Sequence, residues 1–413
     1  MDTNVVVDVG IYSWGANSYG QLGQGHVEDL LLPRLAEDGA RHTLKLTRAV
    51  RSLSGGGGHS TVVSDEGELL VCGQNHRGQL GLGHCSEVRT FQLCPLIGHR
   101  ASQVTCGWDF TLILTDRGQV LACGSNAYGQ LGISEAVSHS VLLRPVQALN
   151  EPVISVSAGL RHSLAVTETG TVYQWGLGLS AQARRALSPE TVPEHFTSKS
   201  PCQVPGLGHV ISHRVAAGSA HSVCLTAGGD VFLWGCNKHG QLTGTKAFLP
   251  RPVLLDRTAL DGERVTDIQS GWTHLVAQTE SGRVFTWGRA NYSQLGRTEP
   301  TNQCSGGPTT EATSQWACVP SEVKVLCGAT QIVCGSEHNL AIVGRRLLSW
   351  GWNEHGMCGD GSKTDVSQPQ LVPDLRPILI GCGAGHSMAL CAVIGPDGEW
   401  KSSGDVEIFS GTF

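Results

Sequence analysis

One motif returns along almost the whole chain, and any fold proposed for it must first account for that return. A turn of the form G-x-x-H-S leads into alternating apolar residues, a glycine, a second apolar run, and then W-G-x-N-x-x-G-Q-L-G. The glycine of the W-G pair falls at Gly15, Gly73, Gly124, Gly176, Gly235, Gly288 and Gly351. Each step is roughly fifty to sixty residues, enough for several short antiparallel strands and close to the size of one propeller blade.

Within a unit, the run His162 to Gly176 reads as two strands about a glycine turn, rich in β-branched and aromatic residues. The loop that follows, Asn17 to Gly23 and again Asn126 to Gly132, places Asn and Gly where the backbone must turn sharply. Seven such units predict an all-β, seven-bladed β-propeller. The chain ends bear on how it closes. Unit one opens at Ile11-Tyr12-Ser13-Trp14-Gly15 without a G-x-x-H half, and the last segment, Cys382 to Cys391, supplies that half without a W-G. Pairing the two in one blade closes the ring and leaves no unpaired edge at the ends of the repeat array. The expected layout is a leader over 1–10, a propeller over 11–393 with a flexible Thr/Ser/Gly-rich excursion at 298–321, and a loosely ordered tail over 394–413.

Composition excludes several alternatives. Glycine, 54 of 413 residues, is enriched without a three-residue period, which favours many tight turns over a collagen-like chain. A net charge of -6 and no block of Lys or Arg give no footprint for nucleic acid. The chain has no run of 18 apolar residues, so membrane insertion is not expected. Fifteen cysteines, an odd number without a C-x-x-C pair, read as reduced thiols in the cytoplasm, with the nucleus as a second compartment.

Residues that recur between units are expected to build the blade. His59, His162, His221, His274, His338 and His386 lie one repeat step apart, hence in different blades. They read as hydrogen-bonding groups within each blade, and no metal site is expected from them. Trp14, Trp175, Trp234, Trp287 and Trp350 read as core, with Cys72 and Cys123 standing at that position in two units. The run Gly55 to Gly58 resembles a phosphate-cradling loop but lacks a following Gly-Lys-Ser/Thr, so it reads as turn chemistry.

Residues that differ between units are freer to carry function. The two positions inside each G-x-x-H turn should ring one face, and they include Trp108-Asp109, Leu160-Arg161, Trp272-Thr273 and Ser336-Glu337. Exposed Trp and Arg anchor protein interfaces, so Trp108, Asp109, Arg161, Trp272 and Glu337 are candidate partner-binding residues. The alternative for the two Trp is packing beneath neighbouring loops. In blade three Phe110 replaces the His, and in blade four Leu177 to Pro205 departs from the G-Q-L-G loop.

W-G-x-N-x-x-G-Q-L-G with G-x-x-H-S/T resembles the regulator of chromosome condensation repeat family, over about residues 11 to 393. Cys106 to Phe110, Ser270 to Thr279 and Trp350 to Gly361 are worded most like its secretion-linked exchange-factor branch. The resemblance implies a propeller that binds a small GTPase and speeds nucleotide release, or one that serves as a non-catalytic adaptor on an exocyst subunit or another vesicle-tethering component. It places the partner face on Asn17, Asp109, Arg161 and Glu337, with Asp109 and Glu337 as the acids that would disturb Mg²⁺ or the phosphate-binding Lys. Exchange requires no nucleophile and no cofactor, so no covalent active site is expected, and the chain is expected to act as a monomer. The chromatin-bound relative carries a basic N-terminal arm and a protruding wedge loop; here no basic arm is expected, and the loops between W-G and G-Q-L-G are short except in blade four.

Overall fold

The computed structural model describes residues 9–36, 45–46, 50–134, 136–298 and 316–392. Seven antiparallel sheets stand around a central axis, six of four strands and one that gains a fifth short strand. Blade two shows the plan. Val50–Gly55 lies innermost, followed outward by His59–Ser64, Leu69–Gly73 and Val88–Cys94. Innermost strands touch their neighbours in cyclic order, including blade seven with blade one and blade one with blade two.

The ring closes as the incomplete end units require. Val9–Gly15 pairs antiparallel with His386–Ala392, with Ile11 opposite Leu390 and Gly15 opposite His386. The strand starts at Val9, so the last two residues assigned to a leader are part of blade one. The tail over 394–413 and most of the 298–321 excursion lie outside the described residues. From Trp316 the chain is again part of the blade, and Ser321–Glu322 forms its outer strand.

The core lies between blades. All five repeat tryptophans are fully buried, and four donate their indole N–H to a carbonyl of the preceding blade's loop: Trp14 to Met357, Trp175 to Gln130, Trp287 to Gln241 and Trp350 to Gln294. Where Cys replaces Trp the thiol takes the same partner. Cys72 Sγ lies 3.4 Å from the Gln21 carbonyl and Cys123 Sγ 3.4 Å from that of Gln79. Part of the missing indole's volume beside Cys72 is filled by Phe91, which packs against Gly23 where Trp175 packs against Gly132.

The histidines overturn the expectation of bonds within a blade. Each reaches the next blade: His386 to Ser60, His59 to Thr111, His162 to Ser222, His221 to Ser270, His274 to Asn339 and His338 to Ser387, all at 2.7 to 3.1 Å. Each of the five hydroxyls spends its proton on a carbonyl, and Asn339 offers Oδ1. All six rings must therefore carry their proton on Nε2. Nδ1 is left buried with no protein donor. Burial holds the six rings neutral, with pKa values pushed down to about 3 or 4. The joint from blade three to four has no such link, because Phe110 occupies the His position.

Blade four replaces the G-Q-L-G loop by a short helix, Ser180–Leu187, whose Ala183 is buried while Arg184 and Arg185 face solvent. The loop carbonyl that Trp234 would have met is absent, and the side chain of Gln174 stands in for it, 2.7 Å away. The described cysteines are free thiols.

Candidate functional site at the channel mouth

The G-x-x-H turns and the loops after W-G emerge at the same end of every blade, because His and the W-G glycine are paired neighbours, as in His59 opposite Gly73. At that end seven main-chain hydrogen bonds run from blade to blade in a closed circuit. They are Gly57 to Trp108, Trp108 to Leu160, Leu160 to Gly218, Ser219 to Trp272, Trp272 to Ser336, Ser336 to Ala384 and Ala384 to Gly56, each N–H to carbonyl at 2.8 to 3.4 Å. The first glycine of each turn lies flat against the ring three residues further along its own motif. A Cβ on Gly56, Gly159 or Gly271 would stand within about 2.5 Å of the His Cε1, so the glycine is required by packing. The Gly55 to Gly58 run is turn chemistry of this kind.

In blades three and six the first variable position of the turn carries a Trp that lines the channel, and in blade four the second, Arg161, reaches the loop residue Tyr128. Trp108 of blade three and Trp272 of blade six meet across the mouth with centroids 5.5 Å apart and planes tilted 52°. Trp108 is exposed and so does not lie beneath a neighbouring loop as the alternative reading required. Gly57 of blade two makes the room: a Cβ there would stand 2.8 Å from the Trp108 ring. Trp108 remains 40% exposed and Trp272 is half-buried. Beneath the pair, the channel lined by Cys106, Ala158, Ala217, Ser270, Cys334 and Cys382 encloses about 80 Å³. That holds several waters but is well short of the ~300 Å³ of a small-ligand site.

Arg161 is exposed and held in place. Its guanidinium donates to Tyr128 Oη at 2.8 Å and stacks over that ring at 4.6 Å. Asp109 is half-buried. Burial raises its carboxyl pKa, while a hydrogen bond from Ser125 and the charges of His76, Arg77 and Arg161 pull it back.

Two predicted residues sit elsewhere than the rim surface. Asn17 is fully buried. Its Nδ2 donates to the carbonyls of His26 and Glu28, and its Oδ1 accepts the Leu22 N–H. Asn75, Asn126, Asn237 and Asn353 staple their loops in the same manner. Glu337 is 6% exposed. Thr273 Oγ1 and Gln294 Nε2 both donate to it at 2.7 Å, and Arg289 lies 3.9 Å away. Burial raises its pKa against those partners. Glu337 joins blades six and seven and presents no free carboxylate to a partner.

Sequence reasoning missed the second ring of residues, those just before the loop glycine or, in blade six, before the Ser293 that takes its place. Tyr19, Arg77, Tyr128, His239, Tyr292 and His355 occupy one position of the loop motif and carry aromatic or basic side chains to the rim. Tyr292 packs on Trp352, which meets His355 edge-on, and His355 Nδ1 lies 2.8 Å from Asp29 of blade one. Aligning the six loops of this type on that glycine, or on Ser293 in blade six, would have exposed that column.

The RCC1-like domain family matches residues 10–389. The chain is 50% identical over 389 residues to the secretion-regulating guanine nucleotide exchange factor of Bos taurus, covering 92% of this chain and 83% of that one. It is 30% identical to the ultraviolet-B receptor UVR8 of Arabidopsis thaliana over 88% of this chain and 78% of the receptor. Among solved structures, yeast Prp20p superposes with a TM-score of 0.78 at 21% identity, covering 95% of this chain and 93% of that one, a likeness of fold.

Proposed function

The chain belongs to the RCC1-like family, and from that membership we propose that it is an exchange-factor-like propeller that engages a small GTPase through the loop face around its channel mouth. The observation that carries this is the 50% identity, spread over 92% of the chain, with a protein named for guanine nucleotide exchange in secretion. Prp20p, described with its binding to Gsp1p, shares the fold. Exchange fits a surface of this kind because it proceeds without covalent chemistry. A partner that prefers the nucleotide-free conformation of a GTPase weakens nucleotide binding reciprocally. The channel is too small to hold a nucleotide, so the work falls to rim side chains. Trp108, Trp272, Arg161 and the accessible edge of Asp109 would make contact, while Asn17 and Glu337 hold the loops beneath them. Release of labelled GDP from a panel of secretory and nuclear GTPases tests this: acceleration of one member supports it, and no acceleration of any refutes it.

A second reading is a non-catalytic adaptor on an exocyst subunit. The burial of Glu337, with both oxygens already accepting hydrogen bonds, favours it by removing one of the two acids expected to confront Mg²⁺. Purified exocyst subunits, offered singly to the immobilised protein, distinguish the readings: retention without nucleotide release selects the adaptor.

A further inference from the structure

Resting on the reading that the loop face is the binding face, we propose that its occupant is an acidic segment of a protein partner, with an apolar side chain seated on the Trp108–Trp272 pair and carboxylates on Arg161 and Arg77. The argument begins with charge. The chain as a whole is negative, at -6, yet along the rim from blade two to blade six the exposed charged side chains at the two loop positions after Asn and at the turns are Arg77, Arg161 and Lys238. At the turns of that arc the acid is partly withdrawn, and the exposed Glu87, near His76, follows the blade-two loop. Asp109 is half-buried near His76, Arg77 and Arg161, and just beyond the arc, in blade seven, Glu337 is buried among its donors. One half-buried carboxylate near two guanidinium groups leaves positive charge unspent.

Arg161 shows the preorganisation that such contacts need. One of its five N–H donors is given to Tyr128 Oη and its plane lies on the tyrosine ring. The remaining donors are free to take a carboxylate in the bidentate geometry that Arg favours, and little side-chain entropy is lost on binding. Across the mouth the sign changes: Glu354 is exposed, and His355 is engaged with Asp29. A segment with carboxylates on one side of an apolar residue would therefore lie across the axis in one direction only.

The Trp pair supplies the apolar seat. It lines the mouth of a cavity of only about 80 Å³, so a partner rests on the indoles, and Trp is among the residue types enriched at interface hot spots. Cations interleaved with aromatic residues also describe a surface for single-stranded nucleic acid. The acidic protein is favoured because the exposed cations are few, sit in separate blades, and form no continuous track along which a phosphate backbone could run.

A fluorescein-labelled peptide of mixed Asp and Glu with one central Phe is titrated with the full chain, beside the same peptide with Lys for the acids and a labelled oligothymidylate. Fluorescence anisotropy should show the acidic peptide binding alone, weakening as salt is raised. Arg161→Glu and Arg77→Glu should each weaken it at least tenfold, as should Trp108→Ala, while Arg117→Glu, in a hairpin turn at the opposite end of blade three, leaves it unchanged. Equal affinity in Arg161→Glu and wild type overturns the proposal, and tighter binding of the oligothymidylate replaces it with a nucleic-acid surface. No GTPase is present in this assay, so its failure leaves the exchange reading to stand or fall on nucleotide release. Unchanged thermal melting of the Arg variants separates lost binding from lost folding.

Discussion

Trp234 donates its indole N–H to the side-chain Oε1 of Gln174 at 2.7 Å, where its counterparts in four other blades donate to a main-chain carbonyl. The same Oε1 accepts the Ser222 hydroxyl at 3.0 Å, and Gln174 Nε2 donates to the His195 carbonyl. A glutamine in blade four thus supplies the carbonyl that the G-Q-L-G loop supplies in other blades.

Gln174→Leu should for that reason cost more than a typical buried polar substitution. It orphans the Trp234 N–H, the Ser222 hydroxyl and the His195 carbonyl together, each worth about 1–3 kcal/mol when left buried and unpaired. We expect a total of about 3 kcal/mol after relaxation, read as a lower urea midpoint with unchanged slope. A loss under about 1 kcal/mol would show that water enters and re-satisfies the joint.

How the chain divides between what could and could not be read from sequence follows from the same residues. The number of blades and the completion of one blade by the segments 11–15 and 382–391 were legible because the repeat is long, regular and split at its ends. The direction of the His links was not. A His that bonds its own blade and one that bonds the next recur with identical spacing, and only coordinates separate them. The meeting of Trp108 and Trp272 was equally hidden, since it depends on which turns face each other across a closed ring. Glu337 and Asn17 were placed on the rim because motif position reveals which turn a residue occupies but not whether its side chain points outward. The Ser180–Leu187 helix did carry a signal, a run of Ala, Gln, Arg and Leu, good helix formers, in place of the Asn and Gly of the other loops.

Cys72 and Phe91 share the volume that a tryptophan takes elsewhere, which makes a paired test possible. Cys72→Trp should clash with Phe91 and destabilise by roughly 1–3 kcal/mol. Adding Phe91→Ala should recover most of that loss, giving a coupling energy of about 1 kcal/mol or more in a double-mutant cycle. Additive effects in the cycle would mean that the two side chains do not compete for one space.

Glu337→Ala should act on stability before binding. It removes the acceptor for Thr273 and Gln294 and the carboxylate facing Arg289. An expected loss of about 2–4 kcal/mol in denaturant unfolding follows from breaking a buried charged network. Glu337→Gln should retain part of the stability by keeping one acceptor oxygen. If Glu337→Ala melts like wild type while losing a partner, the carboxylate faces outward in solution and its assignment as an inter-blade joint is wrong.

The six linking histidines fix the acid limit of the fold. In the folded state their pKa values lie at about 3 or 4, below the usual 6.5. The unfolded chain therefore binds protons that the folded chain refuses, and stability rises with pH across that interval. The contribution is complete above pH ~6.5 and drains away as pH falls through ~6 toward ~4, by up to about 1.4 kcal/mol per pH unit for each ring. Several rings titrating together should make acid unfolding steep in that window, and tryptophan fluorescence against pH will follow it. Replacing His162 by Gln, which can still donate toward Ser222 but does not titrate, should flatten the slope by about one proton at a modest cost at neutral pH. An unchanged slope in that variant would mean that His162 is already charged in the fold, and the Nε2–H network would have to be redrawn.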